Sequence, residues 1–208
     1  MRTRFGQTFH AYMREHHSLF LFTIILFAMG IIFGAVIVNS LALPQKQELL
    51  VFLQYFFSNL DEHGIPEPSA HFLQAFGHYL KTAGIMWILG LSIIGLPMIL
   101  LLLFLKGVVV GFTVGFLVHQ LQWQGVTFSL MGVLPQNMLV VPALLIVGVS
   151  GISFSLRLIK TRLLSKRDRI MPHFMSYTVL VVAMMAVLTV AAMFETFISP
   201  KLMQYVIN

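Results

Sequence analysis

The sequence predicts an all-α fold, a polytopic transmembrane helical bundle with about five spanning helices. Three observations lead there: 58% of the 208 residues are hydrophobic, only 10% are charged, and the apolar residues gather in runs long enough to cross a bilayer. Soluble domains carry roughly 25% charged residues, and a spanning helix needs about 20 apolar ones. The chain therefore has room for one integral membrane domain, residues 1–208, and for no separate soluble catalytic domain.

Residues 19–38 carry no charge and follow Arg2, Arg4 and Arg14. Small residues Ser40 and Ala42 faintly suggest a signal-peptidase site. The apolar run exceeds the roughly 7 to 15 residues of a signal core, however, so it reads as an uncleaved anchor with a cytoplasmic N-terminus. Residues 82–105 form a second span, ending at Lys106. The third run, 107–123, is short: its apolar part would reach about 18 Å as a helix, against roughly 30 Å of hydrocarbon. Either it extends to Trp123 and crosses, or it is re-entrant. Residues 128–156 and 174–194 complete the set.

Parity favours crossing. Arg157, Lys160, Arg162, Lys166, Arg167 and Arg169 lie between the last two runs, and basic residues beside spanning helices stay on the cytoplasmic side. A re-entrant third run would put that cluster outside. With five crossings the C-terminus is outside, and only Lys46, Lys81 and Lys201 among the basic residues face that side.

The first outer segment, residues 39–81, is not a flexible linker. Leu49, Leu50, Leu53, Phe56, Phe57 and Leu60 recur at helical spacing after Pro44, which predicts a short amphipathic helix. A turn follows around Gly64 and Pro66, and Phe72, Leu73, Phe76, Tyr79 and Leu80 make a second apolar stripe. These stripes can lie among lipid headgroups, or they can seat a partner protein. Leu49, Leu53, Phe56, Phe57, Leu60, Phe72 and Phe76 are the candidate partner-binding residues.

Within the spans, Gly30 and Gly34, and Gly107, Gly111 and Gly115, are spaced for close helix approach, within one chain or across a homodimer. Gly95 and Pro97 interrupt the second run, and Pro135 and Pro142 the fourth. Gln136 and Asn137 stand beside Pro135, where side-chain amides can serve backbone groups that proline leaves unpaired; a broken helix lining a solute path would use the same chemistry. Lys106, at a helix end, can snorkel to the cytoplasmic headgroups. Buried, it would need a partner such as Gln136 or Asn137.

Chemistry finds no foothold. Cysteine is absent, so there is no disulfide and no thiolate ligand or nucleophile. No His-Glu-x-x-His, Gly-x-Ser-x-Gly or phosphate-loop motif occurs among the eight histidines and fifteen glycines. No cofactor, metal site or catalytic residue is expected. The net charge of +6 flanks apolar runs and serves topology, so nucleic acid is not an expected partner, whereas the lipid bilayer is.

The sequence resembles the stage II sporulation protein M family of endospore-forming bacteria. The resemblance runs nearly end to end. It is carried by residues 29–40, by Ser92, Ile93, Ile94, Gly95, Leu96 and Pro97, by residues 104–116, and by Pro135, Gln136 and Asn137 with Pro142. It implies a multi-pass protein of the bacterial plasma membrane, on the mother-cell side of the sporulation septum. The implied role is a scaffold without wall-cleaving chemistry that holds two peptidoglycan hydrolases, stage II sporulation proteins D and P, during engulfment. Non-sporulation branches of the wider superfamily are expected to carry an Asn at the position of Lys106 and a His-Gly pair with a downstream Glu near Gln136, Asn137 and Val140. This chain lacks those groups, so activities suspected there do not carry over. The alternative from the residues themselves is a small transporter or channel component, suggested by the interrupted fourth run and Lys106.

Overall fold

The structure, a computed structural model, describes residues 17–62, 68–163 and 170–198. Every element among these residues is helical, as the sequence predicts: α1 (His17–Ser40), α2 (Leu43–Glu62), α3 (Pro68–Gly90), α4 (Gly95–Phe128), a π-helical turn (Ser129–Val133), α5 (Leu134–Leu163) and α6 (Ile170–Phe197). Three helical stretches are long and apolar enough to cross a membrane: His17–Ser40, Gly95–Thr161 and Met171–Phe197. The basic residues Arg2, Arg4, Arg14, Lys166, Arg167, Arg169 and Lys201 lie outside the described residues.

Two helix boundaries differ from the expected runs. Residues 82–105 are not one helix, because the chain turns at residues 91–94 between α3 and α4. Gly95 makes that turn possible: its N–H donates to the Ser92 carbonyl at 3.1 Å, and a Cβ there would strike the Leu89 carbonyl. Pro97 follows in the first turn of α4, where a missing N–H costs nothing. The helix expected at 107–123 therefore begins at Gly95, which removes the shortage of length.

α4 then doubles back. Gln122 has φ 50° and ψ −122°, the backbone of the first central residue of a type II′ turn. A Cβ on Gly125 would strike the Leu117 carbonyl, so the chain reverses within a few residues. The 67-residue apolar stretch is thus two antiparallel helices, and Trp123 stands 84% exposed at their junction. Just beyond, the Leu134 N–H donates to the Ser129 carbonyl, the wider π spacing. It precedes Pro135, which has no N–H to continue a regular ladder. Pro142 is accommodated inside α5.

Neighbouring residues give the directions of packing. Gly30 faces Gly107 and Ala35 faces Gly115, so α1 and α4 run parallel. Gly148 meets Leu103, and Gly151 meets Ile99, so α5 runs against α4. Tyr177 reaches Met86 while Glu195 reaches Tyr79, so α6 runs against α3. The outcome is an alternating bundle around Ile99, Leu103, Val140, Val147, Val181 and Leu188.

The α1–α4 seam depends on bare backbone. A Cβ on Gly34 would strike the Val108 carbonyl, and one on Gly111 the Ile31 carbonyl. The buried positions of α1 are Phe20, Thr23, Phe27, Gly30, Gly34 and Val38, while Phe22, Ile25, Met29, Ile32, Phe33 and Val36 are exposed. Glycines at the point of closest approach and large apolar residues on the outer face suit a lipid surround. Hydroxyls follow the same logic: Thr23, Thr113, Thr127, Ser129, Ser150 and Thr189 each bond a carbonyl four residues back.

The C-terminal end of α3 lies buried, and its carbonyls need donors. Ser155 of α5 donates to the Gly90 and Ser92 carbonyls. Tyr177 of α6 donates to the Met86 and Trp87 carbonyls, both at 3.3 Å, and its ring stacks on Phe154 at 5.4 Å. Ser155→Ala should lower bundle stability by about 1–3 kcal/mol, the cost of unpaired buried acceptors, measured as an earlier midpoint in an SDS-unfolding titration. Gln122→Gly should move the midpoint the other way by about 1 kcal/mol, because glycine accepts the positive φ without strain.

Candidate functional site

Helix α3 carries His71, Gln74 and His78 at i, i+3 and i+7, which places them on one face. That face, with Tyr79 beside it, turns toward Lys106 and Thr113 of α4, Gln136 and Asn137 at the start of α5, and Glu195 near the end of α6. Together they line a half-open cavity of about 410 Å³ inside a bundle that is otherwise apolar.

Its centre is a chain of three groups. The Tyr79 hydroxyl donates to Glu195 Oε2 at 2.5 Å. Lys106 Nζ stands over the Tyr79 ring, 5.9 Å from its centroid, within reach of cation–π attraction. A charged side chain within a spanning helix costs about 2.5–3.5 kcal/mol on insertion scales, and this arrangement offsets part of that cost.

The walls are held in place by backbone contacts. Asn137 Nδ2 donates to the Val133 carbonyl at 2.7 Å, just past the π turn, so the amide that faces the cavity is fixed by the irregular backbone beside Pro135. Thr113 Oγ1 donates to the Val109 carbonyl at 2.9 Å. His78 meets the Tyr79 ring edge-on at 5.8 Å. His71 Nδ1 is buried and has no hydrogen-bond partner among the described residues.

Several residues singled out in the sequence meet here. Lys106, Gln136 and Asn137 share the cavity, the arrangement that a buried lysine would require. The expected position of Lys106 at a cytoplasmic helix end is not what the structure has. With α4 starting at Gly95, Lys106 lies well inside the helix and cannot reach its end. Gly30, Gly34, Gly107, Gly111 and Gly115 form the α1–α4 seam and line no cavity. Pro135 shapes the cavity wall indirectly, and Pro142 is exposed on another part of α5.

Among the outer-segment candidates, Leu49 is half-buried, and Phe72 and Phe76 stack at 5.8 Å and pack against the core. The side chains of Leu53, Phe56, Phe57 and Leu60 lie outside the described residues. Sequence reasoning missed Tyr79, Glu195, His71, His78, Gln74 and Thr113. The polar stripe at i, i+3 and i+7 on α3 was the available signal. Glu195 is a lone acid at the end of an apolar run, with nothing local to mark it as turned inward.

Among the described residues, no group of three or more His, Asp or Glu is placed to hold a metal ion. The site can bind, orient and exchange hydrogen bonds with a polar guest. Tyr79→Phe should remove a hydrogen bond to a charged group and lower stability by about 1.5–3 kcal/mol, measured by thermal unfolding in mild detergent.

The sequence model of one family, described as stage II sporulation protein M, matches residues 23–200. No curated protein and no solved structure matches the chain.

Proposed function

The chain belongs to the stage II sporulation protein M family, and on that premise we propose that it is a non-enzymatic membrane scaffold. It recruits and stabilises two peptidoglycan hydrolases, stage II sporulation proteins D and P, for septal wall remodelling, membrane migration and forespore engulfment. The observation that carries this reading is the family match, which spans residues 23–200 and so takes in nearly every helix of the bundle. Its place is the bacterial plasma membrane, on the mother-cell side of the septum.

The orientation follows from charge. The basic cluster between α5 and α6 faces the cytoplasm, where Arg157 Nη1 meets His173 Nε2 at 3.0 Å and ties the two helices together. With alternating helix directions, this reading has the N-terminus inside and the C-terminus outside. In this orientation α2 lies at the outer face. It begins with a half capping box, the Ala42 N–H bonded to Gln45 Oε1 at 3.1 Å. It also leaves Leu43 and Val51 exposed, apolar surface that suits a partner or lipid.

A second reading, a small transporter or channel component, is favoured by one observation: the charged and amide-lined cavity within the bundle. Mild-detergent purification of the tagged protein from sporulating cells separates the two. The scaffold reading expects the hydrolases to come with it, and the Phe56→Asp, Phe57→Asp double variant to lose them by about tenfold or more while still inserting in the membrane. Unchanged recovery from that variant would remove this surface from the account. Isolation without hydrolases would favour the transport reading, with liposome flux that falls in Lys106→Met as its signature.

A further inference from the structure

Lys106 and Glu195 line the same cavity, yet no ion pair joins them. Tyr79 stands between, its ring under the ammonium and its hydroxyl on the carboxylate. An amine and a carboxyl side chain are thus kept apart by an aromatic spacer inside the bundle. Ionic groups left without a direct partner in such a place carry a desolvation penalty. A guest that meets both at once relieves it.

From this geometry we infer that the cavity is a binding site for a small zwitterion, a molecule bearing an ammonium group and an anionic oxygen group a few ångströms apart. The anionic oxygens go to the Lys106 ammonium, and the guest ammonium goes to Glu195. His71 adds a further polar side chain to the cavity lining. Gln136 and Asn137 offer amides to the remaining polar atoms. A volume of about 410 Å³ lies in the range of small-molecule pockets and admits an α-amino acid or a phosphoethanolamine group.

The same chemistry occurs in a free solute and in the headgroup of phosphatidylethanolamine. The test uses the full chain purified in a detergent without phosphate or amine, with thermal unfolding followed by the fluorescence of Trp87 and Trp123. Alanine and phosphoethanolamine serve as soluble zwitterions, with ethanolamine and N-acetylalanine as single-charge controls. In parallel, nanodiscs of phosphatidylethanolamine are compared with nanodiscs of phosphatidylglycerol.

At least one zwitterion should raise the unfolding temperature in a saturable way, and neither single-charge control should match it. Stabilisation by the soluble compounds identifies a free solute, and stabilisation confined to phosphatidylethanolamine discs identifies a headgroup. Lys106→Met and Glu195→Gln should each weaken the apparent affinity at least tenfold. The wild-type comparison stands by itself should either variant fail to fold. Equal stabilisation by the single-charge controls, or none by any zwitterion in either format, would overturn the assignment. The hydrolase-recovery experiment reads a different surface, so failure of one leaves the other standing.

Discussion

The last carbonyl groups of α3 take their donors from two other helices, and this fixes the relative depth of the elements around them. Ser155 and Tyr177 supply the donors from two different helices. They bind α3, α5 and α6 into one block at the turn that Gly95 permits. In a medium that leaves no backbone group unpaired without cost, this turn is held in register by hydrogen bonds as well as by apolar contact. Counting back along α3 from the turn brings Tyr79 level with Glu195, and counting forward along α4 brings Lys106 to the same level. The polar cavity is thus a consequence of where the chain is allowed to turn.

The rest of the bundle is held by shape. Lipid tails are as apolar as leucine, so burying large side chains gains little, and close contact between backbones gains more. The five glycines of the α1–α4 seam meet that need, while Phe22, Ile32, Phe33 and Val36 of α1 point outward. This division of labour leaves α1 stapled to α4 on the flank away from the cavity, and the polar residues concentrated where α3, α4, α5 and α6 converge.

The helical class could be read directly from the sequence, as could the glycine pairs and the position of the basic cluster between the last two helices. The turn at residues 91–94 was marked only by Ser92, Gly95 and Pro97, which read equally well as an interruption within one continuing span, so the helix boundary was not placed there. That one boundary moved Lys106 from a helix end to a helix middle. The reversal beside Trp123 followed from the five-crossing reading, but its position at Gln122 did not, because glutamine rarely takes a positive φ. Gln136 and Asn137 were visible as a polar pair beside a proline. Tyr79 and Glu195 were not, since their meeting depends on two helices distant in sequence having the correct relative depth.

A polar cavity sunk in the bundle is the feature that joins the fold to the transport and small-molecule readings, and its accessibility to water is directly measurable. The chain contains no cysteine, so single cysteines report cleanly. In nanodiscs, a charged, water-soluble methanethiosulfonate reagent should modify Thr113→Cys at the cavity wall. It should spare Val182→Cys on the exposed apolar face of α6 and Val147→Cys in the core. Modification of Thr113→Cys alone is the predicted result; a Thr113→Cys as inert as the other two would contradict the account, because the cavity would then be closed to water.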